Sequence, residues 1–225
     1  LPLLSLPLMT ILILSPAKTI SKTCDRFSSG LNFSDKTNEI IKNVPEVLVS
    51  KDYCKAFYMY DGMCYKNIKR EEFDECDLEY IREHLIIISA LYGVLKPFDL
   101  INPYRLDFLM KTKMGNLYNF WKDDIAKNIL KDTDFIVNLA SEEFSKTVRK
   151  YISENQILDF GFYEKVDGKL KKHSTISKKA RGMMLNFMTK NKIENIEDIK
   201  KFDKDGYGFV EEMSLENKFV FVKNI

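Results

Sequence analysis

Two hydroxyl groups and one ammonium group stand close together near the start of the chain, in Ser15-Pro16-Ala17-Lys18-Thr19. This set suits an oxyanion, because Lys18 supplies charge while Ser15 and Thr19 supply short hydrogen bonds. The segment lacks the glycines of a phosphate-binding P-loop, so it does not predict nucleotide binding by that mechanism. The alternative is an ordinary turn after a strand that carries a surface lysine.

A loop with a restricted backbone is predicted over residues 89–105. It contains Gly93, Pro97 and Pro103, and it displays Lys96, Asp99, Tyr104 and Arg105. A guanidinium group grips phosphate and an aromatic ring stacks on a base, so Arg105 and Tyr104 together suit nucleic acid. The alternative is a structural salt bridge between Arg105 and either Asp99 or Asp107.

Three further polar residues, Asn138, Ser141 and Glu143, end or follow a predicted strand at residues 134–139. Glu143 suits either proton transfer or the neutralisation of a nearby lysine, and the sequence does not choose between these roles. Ligands of open α/β sheets bind at the carboxyl ends of the strands, so we expect these side chains to border a site.

Charge is distributed unevenly along the chain, although the net charge is only +2. Residues 168–192 contain eight basic residues and no Asp or Glu, which leaves 27 positive and 33 negative charges on the other 200 residues. Lys178, Lys179 and Arg181 fall in the first turns of a predicted helix, where cations oppose the helix dipole. This placement indicates a bound anion; the alternative is a solvated basic face.

The predicted elements define an α/β fold with a mixed central sheet and flanking helices. The strands are predicted at 11–14, 85–89, 134–139, 158–163 and 169–176, near Phe209, and at 219–222. The helices are predicted at about 39–63, 77–84, 116–131, 142–150, 177–191 and 193–202. The fourth and fifth strands form a hairpin across Val166-Asp167-Gly168. Helical spacing predicts that the aromatic residues of 117–121 belong to the core.

Length and composition favour one globular domain over residues 9–225, preceded by an extension of eight residues that the sequence does not explain. The four cysteines, at positions 24, 54, 64 and 76, match no zinc or redox spacing, so we predict no metal and no cofactor. Scattered free thiols are typical of a reducing cytosol, and cytoplasmic localisation is the expectation.

Six short blocks together resemble the YaaA peroxide-stress protein family. They are Ser15-Pro16-Ala17-Lys18-Thr19, Leu91-Tyr92-Gly93-Val94-Leu95-Lys96-Pro97, Pro103-Tyr104-Arg105, Leu117-Tyr118-Asn119-Phe120-Trp121, Asn138-Leu139-Ala140-Ser141 and Lys179-Ala180-Arg181-Gly182. The resemblance extends from Met9 to about Tyr207. It implies a cytosolic protein that limits iron-driven oxidative damage, with DNA binding, a positively charged cleft and a helix-hairpin-helix-like element, for which Tyr92-Gly93-Val94 is the candidate.

Two functions remain open, and the pattern favours binding over catalysis. In the first, double-stranded DNA is held with low sequence specificity through its phosphates by Lys18, Lys96, Arg105, Lys178, Lys179 and Arg181, with Tyr104 as a stacking ring. In the second, an enzyme acts on a small phosphorylated or carboxylated molecule in the same cleft, lined by Ser15, Thr19, Asp99, Asn138, Ser141 and Glu143. Direct iron binding is weaker, because the chain has no Glu-x-x-His pair.

Overall fold

Continuous apolar runs form the centre of a mixed sheet in the computed structural model, which describes residues 10–30 and 32–224. The predicted extension, residues 1–8, lies outside the described residues. The strands are β1 (Ile11–Leu14), β2 (Cys54–Lys55), β3 (Leu85–Ser89), β4 (Gly93–Leu95), β5 (Leu100–Ile101), β6 (Ile136–Asn138), β7 (Ile157–Val166), β8 (Lys169–Lys171), β9 (Tyr207–Phe209) and β10 (Lys218–Asn224). Every residue of β1, β3 and β6 is buried, as central strands covered on both faces require.

The larger sheet has the order β4-β3-β1-β6-β7-β10-β9, with β8 also paired to β7. Strands β3, β1, β6, β7 and β10 run parallel to one another, whereas β4, β8 and β9 are antiparallel additions. This arrangement confirms the predicted α/β class and the mixed sheet. A second, small sheet consists of β2 and β5.

The helices flank the sheet. They are α1 (Asp35–Asn43), α2 (Ala56–Met59), α3 (Met63–Lys66), α4 (Glu75–His84), α5 (Leu117–Trp121), α6 (Asp124–Leu130), α7 (Glu142–Arg149), α8 (Ser174–Lys190) and α9 (Ile196–Ile199). Short 3-10 turns occupy Pro45–Val47, Arg70–Glu72, Glu154–Gln156, Lys204–Gly206 and Glu211–Met213. Aromatic side chains pack between the helices and the β7–β10 part of the sheet, where Phe162 contacts Phe202 and Phe221.

Several predicted boundaries were wrong. The helix expected over 39–63 is instead a series of short elements. The helix expected over 116–131 is two helices, because Lys122 takes a positive φ of 50° between α5 and α6. The hairpin strand expected to reach residue 176 ends at Lys171, and α8 begins at Ser174. The prediction that Trp121 belongs to the core is confirmed, since Trp121 is buried.

The Tyr92-Gly93-Val94 segment does not form a helix-hairpin-helix. It leads from β3 into β4, two strands that pair antiparallel. Gly93 has a φ of +74°, and a Cβ atom there would lie 2.8 Å from the Trp121 ring. The glycine is therefore needed for a strand-to-strand turn and for the close approach of the indole.

The cysteines also differ from the prediction of four free thiols. Cys24 and Cys54 form a disulfide, with sulfur atoms 2.14 Å apart and Cα atoms 6.3 Å apart. It links the loop after β1 to β2. Cys64 and Cys76 are free thiols.

Candidate functional site

The carboxyl ends of β1 and β6 mark the point where the strand order reverses. From β1 the chain continues to β3 on one side, while β6 lies on the other side of β1. In open α/β sheets this arrangement leaves a crevice outside the strand ends, where ligands bind. The residues that follow these two strands therefore define the candidate site.

Ser15 and Ser141 meet at this point, 126 positions apart in sequence. The Ser141 amide donates to Ser15 Oγ over 2.7 Å, and Ser15 Oγ donates to Ser141 Oγ over 3.2 Å. The Tyr65 hydroxyl donates to the Ser15 carbonyl over 3.0 Å. Because Ser141 is also the N-cap of α7, this contact fixes the start of that helix against the end of β1.

Lys18 faces two carboxylates next to these serines. Its ammonium pairs with Asp107 at 3.0 Å and remains mostly exposed. Glu143 accepts a hydrogen bond from the Leu109 amide over 3.3 Å. Burial and the neighbouring Asp107 charge raise the pKa of Glu143, while Lys18 opposes the shift. Glu143 is thus easier to protonate than an ordinary glutamate, which suits a proton-transfer group.

Thr19 contributes little to this cluster. Its side chain is exposed, and its carbonyl accepts the Asp61 amide over 2.9 Å.

A second polar cluster surrounds Asp159, a residue that the sequence did not single out. Asn138 Nδ2 donates to Asp159 Oδ1 over 2.8 Å, and Arg149 from α7 forms an ion pair with the same carboxylate. The Asn138 side-chain oxygen accepts the Ala140 amide over 3.0 Å, which shapes the turn after β6. The parallel pairing of β6 with β7 could have indicated Asp159, because it places residues 138 and 159 side by side.

Arg181 is half-buried and, within the described part of the chain, forms no ion pair. Burial lowers the pKa of its guanidinium, which nearby Cys64 and Asp159 partly offset. Burial in turn raises the pKa of the Cys64 thiol to about 12, so this thiol stays protonated at neutral pH. A partly desolvated guanidinium without a carboxylate partner is suited to bind an anion.

The prediction that Tyr104 stacks on a base was wrong. Only 6% of this residue is exposed. Its hydroxyl is hydrogen-bonded to Ser89 Oγ at 2.7 Å and to the Tyr60 hydroxyl at 3.0 Å, and burial raises its pKa to about 12. The ring therefore belongs to the core, where it orders the loop that follows.

Arg105, the next residue along, points away from that core and is exposed. The structural salt bridge considered for Arg105 does not form with Asp99 or Asp107. Asp107 pairs with Lys18, and Asp99 accepts the Lys96 amide over 2.8 Å.

Lys96 and Asp99 are not brought to the crevice. They follow β4, which runs antiparallel to β3 and pairs Leu95 with Ile87. The chain at Lys96 has therefore turned back from the carboxyl end of β3. Asp99 serves as a turn residue whose pKa is raised by burial.

The basic segment divides into two parts. Lys190 and Lys192, at the end of α8, both bind the buried carboxylate of Asp77. The other six cations are not in ion pairs with any described residue; they are Lys169, Lys171, Lys172, Lys178, Lys179 and Arg181. Lys178 and Lys179 are exposed on the first half of α8. The structure thus uses two of the eight charges to hold the fold and leaves six available.

Two features are absent from residues 10–30 and 32–224. No group of three His, Cys, Asp or Glu side chains in them is placed to hold a metal ion. No helix in this part of the chain combines the length and apolarity needed to cross a bilayer.

Comparison with known proteins assigns the family. The model of the family described as "Peroxide stress protein YaaA" matches residues 49–213. The chain belongs to this family. A UPF0246 protein of Clostridioides difficile is 37% identical over 95% of this chain and 99% of its own length. Similar UPF0246 proteins occur in Finegoldia magna (41% identity, 91% of this chain and 83% of the relative) and Agathobacter rectalis (40%, 76% and 70%). The resemblance in the sequence blocks is thereby confirmed.

Proposed function

We propose that this member of the peroxide stress family binds double-stranded DNA, largely independently of sequence, through cations at the rim of the sheet crevice. The observation that carries the proposal is the set of six cations in residues 169–181 that pair with no described carboxylate. Lys178 and Lys179 are the exposed members on α8, and Arg181 lies deeper beside Asp159. Because α8 begins at Ser174, these three cations lie beyond its first turn, so the proposal depends on their unpaired charge and not on the helix dipole.

Phosphate contacts of this kind account for low sequence specificity, because the phosphate backbone is the same at every base pair. Neutralising about six phosphates gives a log–log salt slope of about −5. Lys18 and Arg105 are kept in the proposed contact set because both are exposed, although Lys18 is partly neutralised by Asp107. Lys96 is dropped from the proposed contact set, because β4 directs it away from the crevice.

Limiting iron-driven damage follows from the same contacts. Ferrous iron is attracted to DNA as a counterion, and hydroxyl radicals react close to where peroxide meets that iron. A protein that neutralises phosphates releases condensed counterions, so it would also release the iron. Protection would then need no iron site on the protein.

The binding test replaces Lys178 and Lys179 with glutamate. Both side chains are exposed, so the double variant should fold normally. We expect affinity for a labelled duplex at about 50 mM salt to fall at least about 30-fold, since two attractive contacts become repulsive. The matched control exchanges Lys42, in the last turn of α1, and Lys131, at the end of α6, for glutamate; both lysines are exposed. Equal losses in both variants would indicate a general charge effect and would contradict the proposed surface.

One observation favours a second function, an enzyme for a small phosphorylated or carboxylated molecule. At the strand reversal point, the ammonium of Lys18 lies beside the carboxylates of Asp107 and Glu143. The raised pKa of Glu143 suits proton transfer. A thermal-shift screen of nucleotides and metabolites separates the two functions. Stabilisation by one small molecule that disappears in Glu143→Gln, without any response to DNA, would favour the enzyme.

A further inference from the structure

The β7–β8 hairpin is a short two-stranded ribbon whose end is solvent-exposed. Every residue from 167 to 175 is exposed, and β8 pairs only with the last three residues of β7. Asp167 and Gly168 form the turn with positive φ values of 50° and 76°. Two such residues are typical of the type I′ turn, whose twist matches that of the flanking strands. The ribbon is therefore tight, and it is not a loose loop.

Four lysines cover this ribbon and its exit toward α8: Lys165, Lys169, Lys171 and Lys172. Two carboxylates face them. Glu164 lies directly opposite Lys171, and Asp167 occupies the turn. Neither forms an ion pair with a described lysine, and Lys172 instead lies 5.4 Å from the Tyr163 ring centroid. The ribbon thus keeps a net positive charge with its ammonium groups available.

The lysines occupy both faces of the ribbon. Lys165 pairs with Leu170, and Val166 pairs with Lys169. Directly paired residues share a face and neighbouring residues alternate, so Lys165 and Leu170 lie on one face while Lys169 and Lys171 lie on the other. Cations on both faces suit a channel that has phosphates on two sides, and suit a flat anionic surface less well.

The major groove of B-form DNA is such a channel. It is about 12 Å wide and admits a two-stranded ribbon, whereas the minor groove is about 6 Å wide. Leu170 is 46% exposed and lies near the end of the ribbon. An apolar side chain there would meet base edges or thymine methyl groups without requiring a fixed sequence. Beyond the ribbon, α8 begins three residues after Lys171 and carries the exposed Lys178 and Lys179 in its second turn.

We propose that the β7–β8 hairpin enters the major groove of duplex DNA as a cationic arm, while the first half of α8 contacts the adjacent backbone. This inference rests on the proposed DNA-binding function and adds its mode. It predicts that duplex is preferred to single strands of the same length, because a single strand offers no groove. It also predicts that the hairpin arm and α8 make separate contributions to the affinity for DNA.

The test uses the full chain and fluorescence anisotropy of a labelled duplex over a range of salt concentrations. Lys169→Ala combined with Lys171→Ala should weaken binding about 10-fold at about 50 mM salt and reduce the magnitude of the salt slope by about 2. The control, Lys42→Ala combined with Lys131→Ala, should leave both values within error. Methyl green, a major-groove ligand, should displace the protein, and netropsin, a minor-groove ligand, should not.

The outcomes separate the two proposals. If the wild-type chain binds no duplex at low salt, both fail. If it binds and the Lys178→Glu, Lys179→Glu variant does not, the proposed function stands. Three results would then overturn the groove-binding arm alone: normal binding by the arm variant, displacement by netropsin, or equal affinity for single strands. Circular dichroism of the arm variant verifies that the fold is intact.

Discussion

At the scale of single residues, Asp77 explains why two of the eight basic charges are not available to a ligand. Only 2% of its side chain is exposed, and it accepts hydrogen bonds from Lys190, at 2.5 Å, and from Lys192. Burial alone would raise its pKa, yet these two lysines lower it to about 2. The carboxylate also belongs to the capping box of α4, so it connects the end of α8 to the start of α4.

The depressed pKa of Asp77 predicts a defined pH dependence of stability. In the unfolded chain this carboxyl has a pKa of about 4. Its contribution is therefore complete above about pH 4 and is lost as the pH falls toward 2. Asp77→Asn should lower the free energy of unfolding at pH 7 by on the order of 2 kcal/mol and flatten its decline between pH 4 and 2.

Urea denaturation at several pH values measures this effect. Asp198→Asn provides the control, because Asp198 pairs with Lys201 while both remain exposed. Exposed pairs contribute little to stability, so the control should follow the wild-type curve. If the free energy of unfolding of Asp77→Asn depended on pH as it does in the wild type, the two lysines would not stabilise the fold through this carboxylate.

At the scale of elements, Gly182 sets how closely α8 packs against α3. A Cβ atom at this position would lie 2.1 Å from the Cys64 carbonyl oxygen and 2.9 Å from the Asn67 Cβ. Backbone atoms cannot move aside as a flexible side chain can, so only glycine fits. The Ala180-Arg181-Gly182 sequence thus combines a buried alanine, a half-buried cation and a helix contact within one turn.

Gly182→Ala should destabilise the protein by about 1 to 3 kcal/mol, the usual cost of overpacking. The sign of the change in stability tests the close packing, because the same substitution in an open helix would stabilise the protein by up to about 1 kcal/mol. Gly208→Ala is a suitable control, since no atom lies within 4 Å of a Cβ there. A Gly182→Ala variant that unfolds at the same or a higher urea concentration would contradict close packing of the two helices.

The sequence predicted the central strands well, because a buried parallel strand leaves a continuous apolar run. Ile11–Leu14 and Leu85–Ser89 have the predicted boundaries. Short elements were not predicted. Strand β2 has only two residues and α3 has four, too few to show a period, and they are positioned by contacts distant in sequence. The break at Lys122 likewise has no local signal.

Parts of the candidate site could be predicted from the rule that ligands gather at strand ends, and parts could not. The rule placed Ser15 near Ser141, which form hydrogen bonds. It failed for Lys96, because the antiparallel direction of β4 was not foreseen. Tyr104 was predicted to bind a ligand but is buried in the core. The sequence does not show this burial, because the hydroxyl groups that pair with Tyr104 belong to residues 15 and 44 positions away.

At the scale of the whole molecule, charge is separated along the sheet. The available cations of residues 165–181 lie at the end of β7 and in the segment after it. The mixed group of Lys18, Asp107 and Glu143 lies at the reversal point between β1 and β6. The first group suits a polyanion, and the second mixes both signs.

Protection of DNA against iron and peroxide should follow this same electrostatics. With plasmid, ferrous iron and hydrogen peroxide at about 20 mM salt, the protein should reduce strand nicking, because neutralised phosphates release the iron they held. At about 300 mM salt the protection should disappear together with binding, since a slope of about −5 predicts a steep loss of affinity over this range. The measurement is the supercoiled fraction on an agarose gel.

The Lys178→Glu, Lys179→Glu variant should protect poorly at low salt, and the Lys42→Glu, Lys131→Glu variant should protect like wild type. Protection that persists at high salt and in both variants would indicate scavenging of peroxide or iron in solution, a mechanism in which the basic surface has no part.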